Sequence, residues 1–245
     1  MIGNRRLPIL RHGNNRLDNR TVSAAYGGTT TVFSGFASIA SQQWASINAP
    51  LRQPHSDRAV IVLVTSDAAR PADYLSFDGI TLSRYDQRTG AAASIALFAG
   101  YVPDDRVGYS VTDTINPDKI RVISAAGTFA NSIRVSVWLV SGLANIAPYA
   151  VGYATTGIGT VATVDVSTPV GGIVLATAVN NITAGQSWTW TGDQTVTERS
   201  DAAATNYHFT FADTLSTAVD AANTLTATAA VVSTTELSIL AASFR

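Results

Sequence analysis

The sequence predicts an all-β protein, an antiparallel jelly-roll-like β-sandwich of about twelve strands with an extended N-terminal arm. Three observations predict it. From Arg58 onward, short segments rich in Val, Ile, Thr and aromatic residues recur at roughly 8–20-residue spacing. No long amphipathic helix separates them, which argues against a parallel α/β sheet. Basic charge is concentrated ahead of them. Residues 1–60 hold seven arginines against Asp18 and Asp57, a net +5, whereas residues 61–245 carry −6 and bring the total to −1.

Taken in order, residues 1–30 show neither helical nor alternating periodicity. Pro8, Gly13, Asn14, Asn15, Asn19, Gly27 and Gly28 interrupt them, which predicts an extended segment. Phe33, Phe36, Ile39, Ala40 and Trp44 then recur at intervals near three and four, the spacing of one short helix. Residues 1–55 therefore read as a basic arm or anchor, and residues 56–245 as the body. Ala59–Thr65 opens the body as an unbroken apolar run, the mark of a strand buried on both faces. Strands follow at Gly79–Arg84, Ala93–Val102, Ile120–Ala125 and Ile133–Val140. The second half supplies Thr160–Val166, Gly172–Val179, Trp188–Thr191, Thr195–Arg199, Tyr207–Ala212, Thr224–Val232 and Leu237–Phe244. Asp78-Gly79 and Gly192-Asp193 have the composition of hairpin turns.

A faint internal echo runs through these strands. Ala59–Asp67 is similar to Gly172–Asn180, Ile120–Ala125 to Thr224–Ala229, and Arg134–Leu143 to Leu237–Arg245. Two related sandwich halves, 56–150 and 151–245, are one reading. A single jelly roll to which each half gives strands of both sheets is the other. The second is preferred, because Leu143–Gly159 contains no obvious flexible linker.

Apolar residues make up 46% of the chain and charged residues only 13%, so Thr, Ser, Asn and Gln must cover much of the surface. Such a surface is weakly solvated by charge and suits subunit contacts. Lys119 is the only lysine; positive charge comes as Arg, whose forked guanidinium favours interfaces. Without cysteine, neither a disulfide framework nor a thiolate metal site is available. No apolar run approaches the ~18 residues of a membrane span. The first residues also lack the continuous apolar stretch of a secretory signal.

Catalytic patterns find little support. The only glutamates are Glu198 and Glu236, and Glu198 beside Arg199 reads as an ion pair. His12, His55 and His208 are scattered, which argues against zinc, and no Gly-x-Ser-x-Gly elbow occurs. Asp104, Asp105, Asp113, Asn116 and Asp118 offer oxygens of the kind calcium takes, yet lack EF-hand spacing and read better as solvated turns. No catalytic residue, metal or cofactor is predicted. Trp188 and Trp190 share one face of a strand. They either form an aromatic platform for sugar rings, with Asp193 or Gln194 bonding hydroxyls, or fill the core, and the core reading is preferred. Trp138 and the stripe of Tyr207, Phe209 and Phe211 read as core.

One combination of motifs carries a family likeness. Gly171-Gly172-Ile173-Val174-Leu175-Ala176 is followed by Trp190-Thr191-Gly192, Thr197-Glu198, Tyr207 to Phe211, Leu225-Thr226-Ala227-Thr228 and the ending Ala241-Ala242-Ser243-Phe244-Arg245. Arg58 to Val62 and Val137-Trp138-Leu139-Val140 precede them. In order and spacing, over about residues 57–245, these resemble β-sandwich virion proteins of tailed phages and phage-like gene transfer agents, including head-spike, decoration and tail components. The resemblance implies a non-enzymatic structural protein located in the virion after synthesis in the host cytoplasm. Its partners would be capsid, portal or tail proteins and further copies of itself. The likeness does not extend to the leader. There the charge itself suggests that Arg5, Arg6, Arg11, Arg16 and Arg20 anchor the chain to an acidic neighbour, a solvated, disordered tail being another reading. Their density is low for a dedicated nucleic-acid arm. Residues 1–30 are expected to be dispensable for folding. The alternatives are a carbohydrate-binding receptor-recognition module and an icosahedral jelly-roll coat subunit, with a polysaccharide lyase or hydrolase the weakest.

Overall fold

The computed structural model describes residues 22–34, 39–46, 58–67, 74–77, 80–91, 93–101, 119–129, 132–182, 187–204, 207–215, 217 and 221–245. Among them the chain is all-β, with sixteen strands and no helix. The first eight are β1 (Ser23–Ser34), β2 (Ile39–Ser46), β3 (Ala59–Asp67), β4 (Tyr74–Phe77), β5 (Ile80–Thr89), β6 (Ala93–Tyr101), β7 (Lys119–Phe129) and β8 (Ser132–Ser141). The second eight are β9 (Ala150–Thr156), β10 (Val161–Thr168), β11 (Ile173–Asn180), β12 (Trp188–Gly192), β13 (Thr197–Ala204), β14 (Tyr207–Thr214), β15 (Ala221–Ala229) and β16 (Leu237–Phe244). Every recorded pairing is antiparallel.

The two sets of eight have one topology. In the first, the order is β1-β8-β3-β6-β5 and then β4-β7-β2. Strand β5 turns the corner between these groups. It pairs with β4 through Ile80–Leu82 and with β6 through Ser83–Thr89, with a bulge between Arg84 and Asp86. In the second set the sheets are β9-β16-β11-β14-β13 and β10-β15-β12. Each strand of the first set has its counterpart eight places later. Both sets are eight-stranded jelly rolls. The register repeats as well. Ile61 lies between Ala99 and Trp138 in the first sheet, and Leu175 lies between Asp213 and Ala242 at the corresponding place in the second. Each half is therefore its own sandwich, and the sheets are not shared between halves as the preferred sequence reading expected.

Three apolar layers hold the stack together. Val60, Val62 and Val64 of β3 pack with Leu75, Leu82, Phe98, Val135 and Val137 inside the first jelly roll. Val174, Ala176 and Ala178 of β11 pack with Val164, Trp188, Trp190, Leu225 and Ile239 inside the second. The third layer lies between the jelly rolls, where Ile61, Leu63, Leu97 and Trp138 meet Leu175, Phe209, Phe211 and Phe244. The central sheets are thus covered on both faces, which is why β11, β14 and β16 are buried at every residue. Full burial of a Leu or Phe side chain contributes about 1.5–3 kcal/mol. This layer alone therefore ties the halves into one unit.

The mode of stacking is symmetric. Strand β3 lies against β11, its own counterpart, and β8 lies against β14, the counterpart of β6. That is the pattern of a local twofold axis through β3 and β11, an isologous contact made within one chain. The connection at residues 142–149 stays packed. Gly142 takes a positive φ of 81°, Leu143 is buried, and Ala144 N and Tyr149 N donate to the carbonyls of Arg245 and Ser243.

Several boundaries differ from the sequence reading. The body begins at Val22 rather than at residue 56, because β1 pairs with β8 along its whole length. The register shift between Tyr26 and Gly28 breaks the two-residue period that would have marked the strand. The expected short helix at Phe33–Trp44 is not formed over Ile39–Ser46, which is strand β2 paired with β7. Gly192-Asp193 is not a hairpin, since β12 and β13 belong to different sheets. Phe77 pairs with Ile80 across the expected hairpin, whose Asp78 and Gly79 lie outside the described residues. The acidic segment Asp104–Asp118 also lies outside them.

Strand β9, missed in the sequence, depends on a close approach. A Cβ at Gly152 would sit 2.3 Å from the Asp165 carbonyl oxygen and 2.7 Å from Val164 Cγ2. Gly152→Ala is therefore expected to force β9 away from β10 and to cost about 1–3 kcal/mol by overpacking. Urea unfolding of the variant checks this, and an unchanged midpoint would show that the edge yields freely.

Candidate functional site

The sequence-predicted residues separate in the structure. Trp188 and Trp190 do not form a surface platform. They are 4% and 8% exposed, and both point from β12 into the core of the second jelly roll. Trp190 Nε1 donates to Thr210 Oγ1 at 2.9 Å, satisfying the one polar atom of the buried ring. Trp188 stands edge-on to His208 with ring centroids 6.2 Å apart. The platform part of the glycan reading is corrected by this burial, in favour of the core placement. Arg5, Arg6, Arg11, Arg16 and Arg20 lie outside the described residues.

Asp193 and Gln194, by contrast, stand at a cleft. The chain leaves β12 at Gly192 and crosses from the outer sheet to β13. The corner is tight: a Cβ at Gly192 would lie 2.9 Å from Val196 Cγ2 and 3.0 Å from the Thr224 carbonyl oxygen. Asp193 is pinned to β15 twice, its N donating to Thr224 O at 3.2 Å and its Oδ2 accepting from Thr224 N at 2.8 Å. Thr214 Oγ1 donates to Thr195 O at 3.0 Å, closing the corner from the other side. Between these elements opens a cleft of about 510 Å³, lined by Asp193, Gln194, Thr195, Thr197, Arg199, Thr214 and Leu215.

Arg199 is held from beneath. Its Nε and Nη2 donate to Asp213 Oδ2 and Oδ1 at 2.7 and 2.9 Å, a bidentate pair. Asp213 is wholly buried, whereas Arg199 is 26% exposed. The carboxylate also accepts from Trp138 Nε1 at 2.8 Å. Since Trp138 belongs to the first jelly roll, one buried carboxylate joins the interface between jelly rolls to the cleft. The sequence reading had only Glu198 as the neighbour of Arg199; the structure adds the buried Asp213 beneath the guanidinium. Glu198 is exposed, and partial burial followed by the Asp201 charge holds its carboxyl above the ordinary value. The signal for Asp213 is a lone acid in the apolar strand Tyr207–Thr214, a position that requires a paired charge.

Two other polar groups are committed inside the fold. Glu236 accepts hydrogen bonds from Ala91 N and from Ser238 Oγ, tying the β5–β6 turn to the second half. His208 Nε2 contacts Asp201 Oδ1, and Asp201 Oδ2 accepts from Trp188 N at 3.3 Å. Burial pushes the His208 imidazole below its ordinary pKa, with Asp201 pulling it up and Arg134 adding to the lowering. The neutral ring is therefore the native form. Below about pH 6.5 the unfolded chain takes up a proton that the native site resists, so stability falls with falling pH. Thermal melts between about pH 7.5 and 5.5 should show this loss, and His208→Gln should flatten it. Equal slopes in the two proteins would remove His208 as the cause.

Among the described residues, no group of three or more His, Cys, Asp or Glu is placed to hold a metal ion. The cleft combines acceptors and donors on a rigid frame, which is equipment for binding polar groups. No family model, curated protein or solved structure matches the chain.

Proposed function

We propose that this protein is a non-enzymatic structural component of the virion of a tailed phage or gene transfer agent. Its basic leader anchors it to a capsid, portal or tail protein, and its β body associates with further copies of the chain. The charge contrast carries the reading. Residues 1–21 hold five arginines and one acid, ahead of a body with excess acid. The body's outer sheet supports it too. Thr163, Thr189, Thr191, Thr226 and Thr228 occupy alternate positions on β10, β12 and β15, and this weakly charged face is inexpensive to desolvate in a subunit contact.

The test is particle assembly with a truncated chain. Deletion must stop at residue 21, because residues 23–34 form β1 and removing them would uncover the edge of β8. Loss of residues 1–21 is expected to leave the β-sheet circular dichroism spectrum intact while bound copies per particle fall to background. Replacing Arg5, Arg6, Arg11, Arg16 and Arg20 by Gln should weaken incorporation in the same direction, and the difference from the unmodified chain should narrow at high salt, where the arginine contacts are already screened. Full occupancy without the leader would overturn the anchoring role.

A further inference from the structure

We propose that the cleft between Asp193 and Arg199 binds a neutral saccharide unit through its hydroxyl groups. This does not rest on the virion reading, and it needs no aromatic platform. The cleft's volume of about 510 Å³ falls within the ~300–1,000 Å³ of small-molecule sites. Its chemistry is mixed in the way a sugar hydroxyl, both donor and acceptor, can answer. Asp193 offers a carboxylate, Arg199 a guanidinium edge, and Thr197 an exposed hydroxyl.

Charge decides between classes of sugar. The Arg199 cation is matched by the fully buried Asp213 in a bidentate pair, so it brings no surplus positive charge to the cleft. Asp193 then gives the lining a net negative charge, which disfavours uronates, sialate-type carboxylates and phosphates. A neutral pyranose meets no such repulsion.

The lining is also fixed before a ligand arrives. Asp193 is clamped on Thr224, Thr195 is bonded by Thr214, and Arg199 is held by Asp213, itself fixed by Trp138. Little ordering entropy remains to be lost on binding, which is the requirement for recognising a small, strongly hydrated ligand. One sugar unit held by a few hydroxyl contacts corresponds to a Kd of about 1–10 mM.

Amide chemical shifts of the full chain, titrated with methyl α-glucoside, methyl α-galactoside and methyl α-mannoside, test this directly, with glucuronate as the charged control. At least one neutral glycoside should shift the amides of Asp193, Thr195, Thr197 and Leu215. Thr197→Trp, at an exposed strand position, should fill the cleft and abolish those shifts while the rest of the spectrum is retained. Asp193→Asn keeps an acceptor for Thr224 N but removes the charge, and should weaken binding about fivefold to tenfold. The proposal is overturned if no neutral glycoside moves these amides, if Thr197→Trp leaves the shifts in place, or if glucuronate binds as tightly as the neutral sugars.

Discussion

Asp213→Ala is expected to destabilise the protein by about 3 kcal/mol, a large effect for a residue that touches no solvent. The carboxylate takes three hydrogen bonds, two from Arg199 and one from Trp138. Its removal takes away the acceptor of an indole N–H inside the apolar layer between the jelly rolls and the bidentate carboxylate beneath the guanidinium. Arg199 can turn in part to water, which keeps the loss at the lower end of the range for a broken buried pair. Asp213→Asn should be milder, since the amide oxygen still accepts while the charge is lost. Urea unfolding of Asp213→Ala, Trp138→Phe and the double variant gives the coupling between the two sites. Additive losses would mean that the bridge across the interface does not contribute.

Trp190→Ala is expected to cost about 3–5 kcal/mol, toward the upper end, by cavity formation. The reason lies in its neighbours. The core of the second jelly roll is built largely from alanines, among them Ala162, Ala176, Ala178, Ala212, Ala227 and Ala241, with Trp188 and Trp190 filling the space. Such small side chains have no rotamers with which to close the gap. Thr210 Oγ1 also loses its donor. An unchanged melting temperature would place the ring outside the core.

Much of the fold is legible in the sequence, and the failures have a common physical origin. Each of the twelve segments from Ala59–Thr65 to Leu237–Phe244 overlaps a strand, although Thr195–Arg199 does so only from Thr197 and Thr224–Val232 only as far as Ala229, because β-branched and aromatic runs between turn residues are strong signals. The four missed strands each lack that signal. β1 is interrupted by a bulge at its double glycine, β2 has apolar residues at near-helical spacing, β4 is four residues long, and β9 is only partly buried. The internal echo correctly pairs β3 with β11, β7 with β15 and β8 with β16. Yet aligning Ala59–Asp67 end to end with Gly172–Asn180 sets Val60, inside the first jelly roll, against Ile173, which faces the layer between the jelly rolls, whereas Val174 shares the inward face of Val60. A slip of one residue exchanges the two faces of a strand, and a strand buried on both faces has no polar side to reveal it.

The site was half legible. Asp193 and Gln194 do stand together at a cleft, but the tryptophans proposed beside them point the other way. Arg199 was visible only as the neighbour of Glu198. Its true partner lies on the next strand, and sequence adjacency carries no information about that pairing.

The local twofold between the central sheets means that this chain is a tethered pair. Two free jelly rolls joined by the same layer would fall apart on dilution, whereas the tether sets their mutual effective concentration near the millimolar scale whatever the amount of protein. The thermal midpoint of the isolated chain should thus be insensitive to dilution so far as this layer is concerned. Tethering also frees the two sides of the axis to drift apart. Trp138 faces Asp213 on one side, while the corresponding places on the other are held by Ala99 and Ala242. Identical subunits would have to carry the same residues twice. Here one side has become a polar lock, while alanine stands at both of those places on the other.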